Sequence, residues 1–177
     1  MSFVRLLPKV AASLIISLAA PTLAACEPRE SSEPSETAVW SPADDALMLA
    51  ATREARASLA DFWVKYEARD PSRSRYSVKI GLPTRHGGVE HIWGSVVRRS
   101  GDKTTARIDN EPEDLADVKF GDEITVDHAA ISDWMYLKDG KLYGSFTTRA
   151  MLSRVSAAQR KEAMTVLAPT PLEPSVH

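Results

Sequence analysis

Four histidines, one cysteine and a scatter of carboxylates are the side chains of this 177-residue sequence that could move protons, hold a metal or carry a covalent group. His91 leads the set. It sits between Glu90 and Trp93 in a strand-like run, and an imidazole changes charge near neutral pH, so it could act as base or ligand. A strand histidine beside apolar residues serves at least as often as a hydrogen-bonded structural group. His86 and His128 fall in expected loops and His177 in the tail, and no His-x-x-x-His pair places two imidazoles on one helix face, so no metal site or cofactor is expected. Ser132, His91 and Asp133 can be drawn as a nucleophile, base and orienting acid. However, Ser132 and Asp133 are neighbours that point to opposite sides of an extended strand, and no Gly-x-Ser-x-Gly elbow is present. Glu90, Glu111, Asp122 and Asp133 could supply a carboxylate pair for glycan cleavage, although Asn110-Glu111-Pro112 and Gly121-Asp122 also read as turns. The catalytic alternative is therefore a hydrolase acting on a cell-wall or glycan substrate, with His91, Glu111 and Asp133 in one cleft.

Cys26 points to a different chemistry. Arg5 and Lys9, an apolar run from Val10 to Leu23 and small residues before Cys26 have the three parts of an export signal, and the run is too short to span a bilayer. Leu23-Ala24-Ala25-Cys26 also looks like a bacterial lipobox, with cleavage before the cysteine and diacylglycerol on its thiol. As the only cysteine, Cys26 excludes an intramolecular disulfide. The expectations are a lipoprotein signal peptide over 1–25, a flexible Glu-, Ser- and Pro-rich tether over 26–40, and an anchor in the lipid bilayer through acylated Cys26. Glu27 rather than Asp after the cysteine resembles the proteobacterial sorting pattern for the outer membrane, periplasmic side, which is the expected location. Cleavage removes two basic and no acidic residues, taking the net charge from −2 to −4. With no basic stripe, a nucleic-acid partner is not expected.

The elements that would position these groups can be read in order. Ser41-Pro42-Ala43-Asp44 is a helix start, and Leu47, Ala51, Ala55, Leu59, Phe62 and Tyr66 recur at helical spacing until Asp70-Pro71. Strands are expected over 76–82, 89–99, 103–108 and 123–126, with turns at 83–88 and 100–102. Asp139-Gly140 between Ile131-Ser132-Asp133-Trp134-Met135-Tyr136-Leu137-Lys138 and Lys141-Leu142-Tyr143-Gly144 is a two-residue hairpin signal. It fixes Tyr136 opposite Tyr143, and the second arm is expected to run to Met151 or Leu152. Ser156 with Gln159 resembles a capping box, starting a second helix at Ala157 that ends near Leu167. The fold class is α+β, with a bent antiparallel sheet of about six strands, a long N-terminal helix and a short C-terminal helix. The domain is expected over 41–168, followed by a disordered tail over 169–177.

One face of the hairpin carries Trp134, Tyr136, Tyr143 and Arg149. Either this row packs under other elements, or it stays open as an aromatic shelf for an envelope protein or glycan.

Val78-Lys79-Ile80, Glu90-His91-Ile92-Trp93, Asn110-Glu111-Pro112, Gly121-Asp122, Asp133-Trp134-Met135-Tyr136, Gly144-Ser145-Phe146-Thr147 and Arg149 together resemble the bacterial domain of unknown function 2314 family, which includes YegJ-like lipoproteins. The resemblance covers about Ala46 to Leu167. Where the family often shows Gly-Gly-Tyr-Thr, this chain has Gly144-Ser145-Phe146-Thr147. The resemblance implies a shared fold and no known activity. The function expected is an envelope-anchored, non-catalytic binding or assembly module.

Overall fold

A computed structural model describes residues 45–174. The signal peptide, Cys26, the tether and the Ser41-Pro42 helix start lie outside them, as do the last three residues of the tail. Helix α1 (Ala46–Ala57) is capped by Asp45, whose carboxylate accepts from the amides of Leu47 and Met48. The expected single long helix is broken: α2 (Leu59–Glu67) begins anew after Ser58. The Ser58 hydroxyl bonds back to the carbonyls of Glu54 and Ala55, which competes with the helical ladder and lets the chain turn. Met48, rather than the expected Leu47, heads the buried stripe; Leu47 is 42% exposed.

The sheet contains β1 (Arg73–Pro83), β2 (Val89–Ser100), β3 (Lys103–Ile108), β4 (Glu123–Asp127), β5 (Ile131–Lys138) and β6 (Lys141–Gly144), in the order β4-β3-β2-β1-β5-β6 and wholly antiparallel. The first four form a meander, and β5 returns to pair with the free side of β1. The hairpin register is the one the Asp139-Gly140 turn dictates, with Tyr136 opposite Tyr143 and Leu137 opposite Leu142.

The second hairpin arm does not continue to Met151. It stops at Gly144, and α3 (Phe146–Met151) follows at once. Both residues at this junction are left-handed, Gly144 at φ +73° and Ser145 at φ +55°. A Cβ on Gly144 would collide with the Trp134 carbonyl and indole, so only glycine fits there. The capping box at Ser156 and Gln159 is present and opens α4 (Ala157–Val166).

The aromatic shelf is corrected by the fold. Trp134 and Tyr136 are fully buried, stacked 5.9 Å apart, and Phe62 of α2 lies 5.3 Å from Trp134. The Trp134 indole N–H donates to the Ala55 carbonyl of α1 at 2.9 Å. Tyr143 is half-buried against Tyr136. The α1/α2 apolar stripe needs a sheet face to cover it, and the ring-bearing face of β5 lies in the same core cluster as that stripe. Arg149 is no rim cation either: its guanidinium donates to the carbonyls of Gly144, Leu142 and Ala168 where the strand ends.

The tail expected to be disordered is fastened as far as Glu173. The Gly144 amide donates to the Pro171 carbonyl, and Glu173 accepts from Arg73, Lys138 and the Tyr136 hydroxyl at 2.5–2.9 Å. The Arg73 guanidinium, ahead of the Lys138 and Tyr136 hydrogen bonds, holds the Glu173 carboxyl down to about 2, against the usual 4.5.

Gly144→Ala should cost about 3 kcal/mol or more in urea unfolding, whereas Ser145→Gly, which relieves a left-handed serine, should be neutral or gain up to about 1 kcal/mol. A carboxyl with a depressed folded pKa stabilises fully above its unfolded value and loses that contribution as pH falls. The tail clasp should therefore hold above pH 4.5 and release toward about 2. Hydrogen exchange at the Gly144 amide reports it, and Glu173→Gln should abolish the pH dependence.

Candidate functional site

A β-bulge sets the site. Lys79 of β1 opposes Asp133 of β5, the next β1 residue, Ile80, opposes Ile131, and Ser132 is the extra residue between them. The bulge lets Ile131 and Trp134, three apart in sequence, both enter the core beside Ile80 and Val78, which strict alternation forbids. It also frees the Ser132 side chain from the regular pattern.

On the other side of β1, His91 of β2 opposes Gly81. A Cβ on Gly81 would stand 3.1 Å from His91 Cε1, so the missing side chain leaves a slot. Through it the His91 ring reaches across the middle strand, and its Nδ1 lies 2.8 Å from Ser132 Oγ. The Ser132 hydroxyl donates to the Lys79 carbonyl at 3.2 Å. A carbonyl only accepts; with the hydroxyl proton given to it, Nδ1 is the donor to Ser132 and Nε2 is the ring's acceptor, the roles being set by the tautomer. Burial lowers the His91 pKa below 6.5, and the charges of Lys79 and Arg56 lower it further, so the ring is neutral at pH 7.

Lys79 Nζ donates to Thr147 Oγ1 at 3.2 Å and lies over the Trp93 ring. Thr147 passes the contact on, its hydroxyl and amide donating to Asp133 Oδ2 at 2.7 and 2.8 Å. The Trp134 and Phe146 amides donate to Asp133 Oδ1, at 2.8 and 3.1 Å. Burial pushes the Asp133 carboxyl up, while these hydrogen bonds pull the other way. Burial also pulls the Lys79 ammonium down, opposed by Asp133. Among the described residues no carboxylate pairs directly with Lys79.

His91, Ser132, Lys79 and Thr147 line an open cleft of about 1080 Å³ between α1, the β1–β2 turn and the segment preceding β5. Arg56 borders it with its guanidinium committed to the Ile131 and Ala129 carbonyls. On the turn side, the Glu90 carboxylate accepts from the amides of Glu113 and Asp114, and Asp114 pairs with His86.

The hydrolase constellation is not assembled. His91 borders the cleft, Glu111 is exposed outside it, and Asp133 is sealed with both oxygens bonded to neighbours at the β5–α3 junction. The structure does join Ser132 to His91, a pairing that strand alternation had argued against because a bulge has no signature in the apolar pattern. Ser132 is only 2% exposed, at the edge of the cleft it helps to line. Lys79 and Thr147 escaped the sequence reading; a lone lysine within an apolar strand was the available signal. Among the described residues, no cluster of metal-ligand side chains occurs and no helix is long and apolar enough to cross a membrane.

Fold and site define a small α+β cleft domain without a catalytic triad. The chain belongs to the family described as an uncharacterized protein conserved in bacteria (DUF2314), whose model matches residues 45–166, from the α1 cap to the last residue of α4. It is 32% identical over 121 residues to the uncharacterized protein YegJ of Escherichia coli, covering 68% of this chain and 77% of that protein. It is 34% identical over 73 residues, 41% of this chain, to a putative ankyrin repeat protein of Neisseria meningitidis serogroup B, of which the match spans 29%. No solved structure matches.

Lys79→Met should raise the His91 titration midpoint toward 6.5, because a positive neighbour that disfavours imidazolium is removed; the imidazole proton resonances follow it by NMR. A base whose folded pKa is depressed keeps its full stabilising effect above the unfolded value, so His91 should make the fold less stable as pH drops below 6.5.

Proposed function

We propose that this protein is a non-catalytic binding module, lipid-anchored through Cys26 on the periplasmic side of the bacterial envelope.

 The observation that carries this reading is the state of the cleft's serine–histidine pair. Its hydroxyl is sealed and already donates to the Lys79 carbonyl, while the neutral His91 ring and the Lys79 ammonium remain beside open space. Such a cleft can hold a ligand by hydrogen bonds and charge but supplies no attacking group. The cleft, not the buried ring row of Trp134 and Tyr136, is the recognition surface. The anchor is supported by the residues before Cys26: positive charge, an apolar run of sub-membrane length and the Leu23-Ala24-Ala25-Cys26 sequence. Glu27 supports sorting to the outer membrane.

The test has two arms on the full chain. Cells fed alkyne-palmitate should label the protein, and Cys26→Ser should abolish labelling and leave the protein out of the membrane fraction. The acylated protein incubated with purified peptidoglycan should release no more soluble fragments than its His91→Gln variant does. Release that depends on His91 would favour the hydrolase instead, and palmitate labelling that survives Cys26→Ser would overturn the anchor.

A further inference from the structure

Lys79 stands out among the charged groups of the cleft. Every other one has its polar atoms engaged or lies at the solvent-exposed turn: Arg56 on two carbonyls, Glu90 on two amides, Asp114 on His86. An ammonium group has three donors, and in this structure one goes to the Thr147 hydroxyl while an indole face covers another side. Its nearest negative charge, Asp133, is already saturated by the Trp134, Phe146 and Thr147 donors and meets Lys79 only through the Thr147 hydroxyl. A half-buried cation with donors to spare at the floor of a cleft is a place for an anion.

The walls narrow the chemistry. Leu49, 42% exposed, and Val89, 55% exposed, flank the same cleft, and Met48 lines it from α1. These apolar surfaces suit a hydrocarbon portion. The acidic side chains on the turn side, Glu113 and Asp114, disfavour a second negative charge. We propose that the cleft binds a monoanionic organic carboxylate, its carboxylate on Lys79 Nζ beside the Thr147 hydroxyl and its apolar portion between Leu49 and Val89. This deepens the binding-module reading and rests on it. The neutral His91 ring, held by Ser132, then offers its remaining nitrogen as an acceptor to a hydroxyl or amide on such a ligand.

Hexanoate, its neutral isostere hexanamide and inorganic phosphate can be titrated separately into the full chain in zwitterionic nanodiscs, with backbone amide shifts read by NMR. Hexanoate should shift Lys79, Thr147 and Val89 saturably, hexanamide and phosphate should bind at least about tenfold more weakly, and Lys79→Met should weaken hexanoate by a similar factor. Thermal melting checks that the variant is folded; the hexanamide comparison in the unmodified protein decides the question even if it is not. Equal binding of hexanoate and hexanamide would overturn the anion anchor while leaving a binding cleft in place. Phosphate binding as well as hexanoate would overturn the carboxylate assignment. No saturable shift with hexanoate would overturn the inference outright, without bearing on the palmitate and peptidoglycan results that decide the broader reading.

Discussion

A carboxylate with no access to water holds the centre of this domain together. Burying an ionised Asp133 costs several kcal/mol unless its oxygens are satisfied, and here the amides of Trp134, Phe146 and Thr147 and the Thr147 hydroxyl supply four donors. Two of those amides are the first two of α3, a six-residue helix whose own N-cap, Ser145, makes no side-chain cap bond. The cap therefore comes from a neighbouring strand, and the helix exists where Asp133 can reach it. That requirement makes β6 stop at Gly144 and turns two successive residues into the left-handed region. It also delivers Thr147 to Lys79, so the cleft's cation is placed by the same carboxylate that ends the hairpin.

The site is made by departures from regularity. A regular β5 would send Ile131 and Trp134 to opposite faces; one extra residue lets both reach the core and leaves Ser132 beside the cleft. A regular β1 would carry a side chain at position 81 and keep β2 and β5 apart, whereas Gly81 lets an imidazole cross the strand. Neither feature alone would bring His91 to Ser132. Together they hold a neutral histidine against Ser132 in a cleft that Lys79 also lines.

Sealing of the rings follows from the same economy of surface. Trp134, Tyr136 and Phe62 pack together where the α1/α2 stripe meets β5, and the segment after α4 closes the polar end, with Glu173 accepting from the Tyr136 hydroxyl. That tail carries no apolar periodicity, so composition made it look unstructured. Its hold comes from Arg73 at the start of β1 and Lys138 at the end of β5.

Local chemistry in the sequence was sufficient for the strands, the Asp139-Gly140 turn and its register, the Ser156 capping box, the α+β class and the family, because periodicity, turn residues and caps act over a few positions. The break at Ser58 is local but has no signature in the apolar spacing, since it turns on a hydroxyl bonding back to Glu54 and Ala55. The helix after Gly144, the burial of Trp134 and Tyr136, and the meeting of Lys79, His91, Ser132 and Thr147 were decided only by tertiary structure, because each depends on partners in another element: a carbonyl on another strand, an absent side chain on the strand between, or a buried carboxylate needing donors. Residue spacing carries the geometry of one element, whereas a cleft is the relation among several.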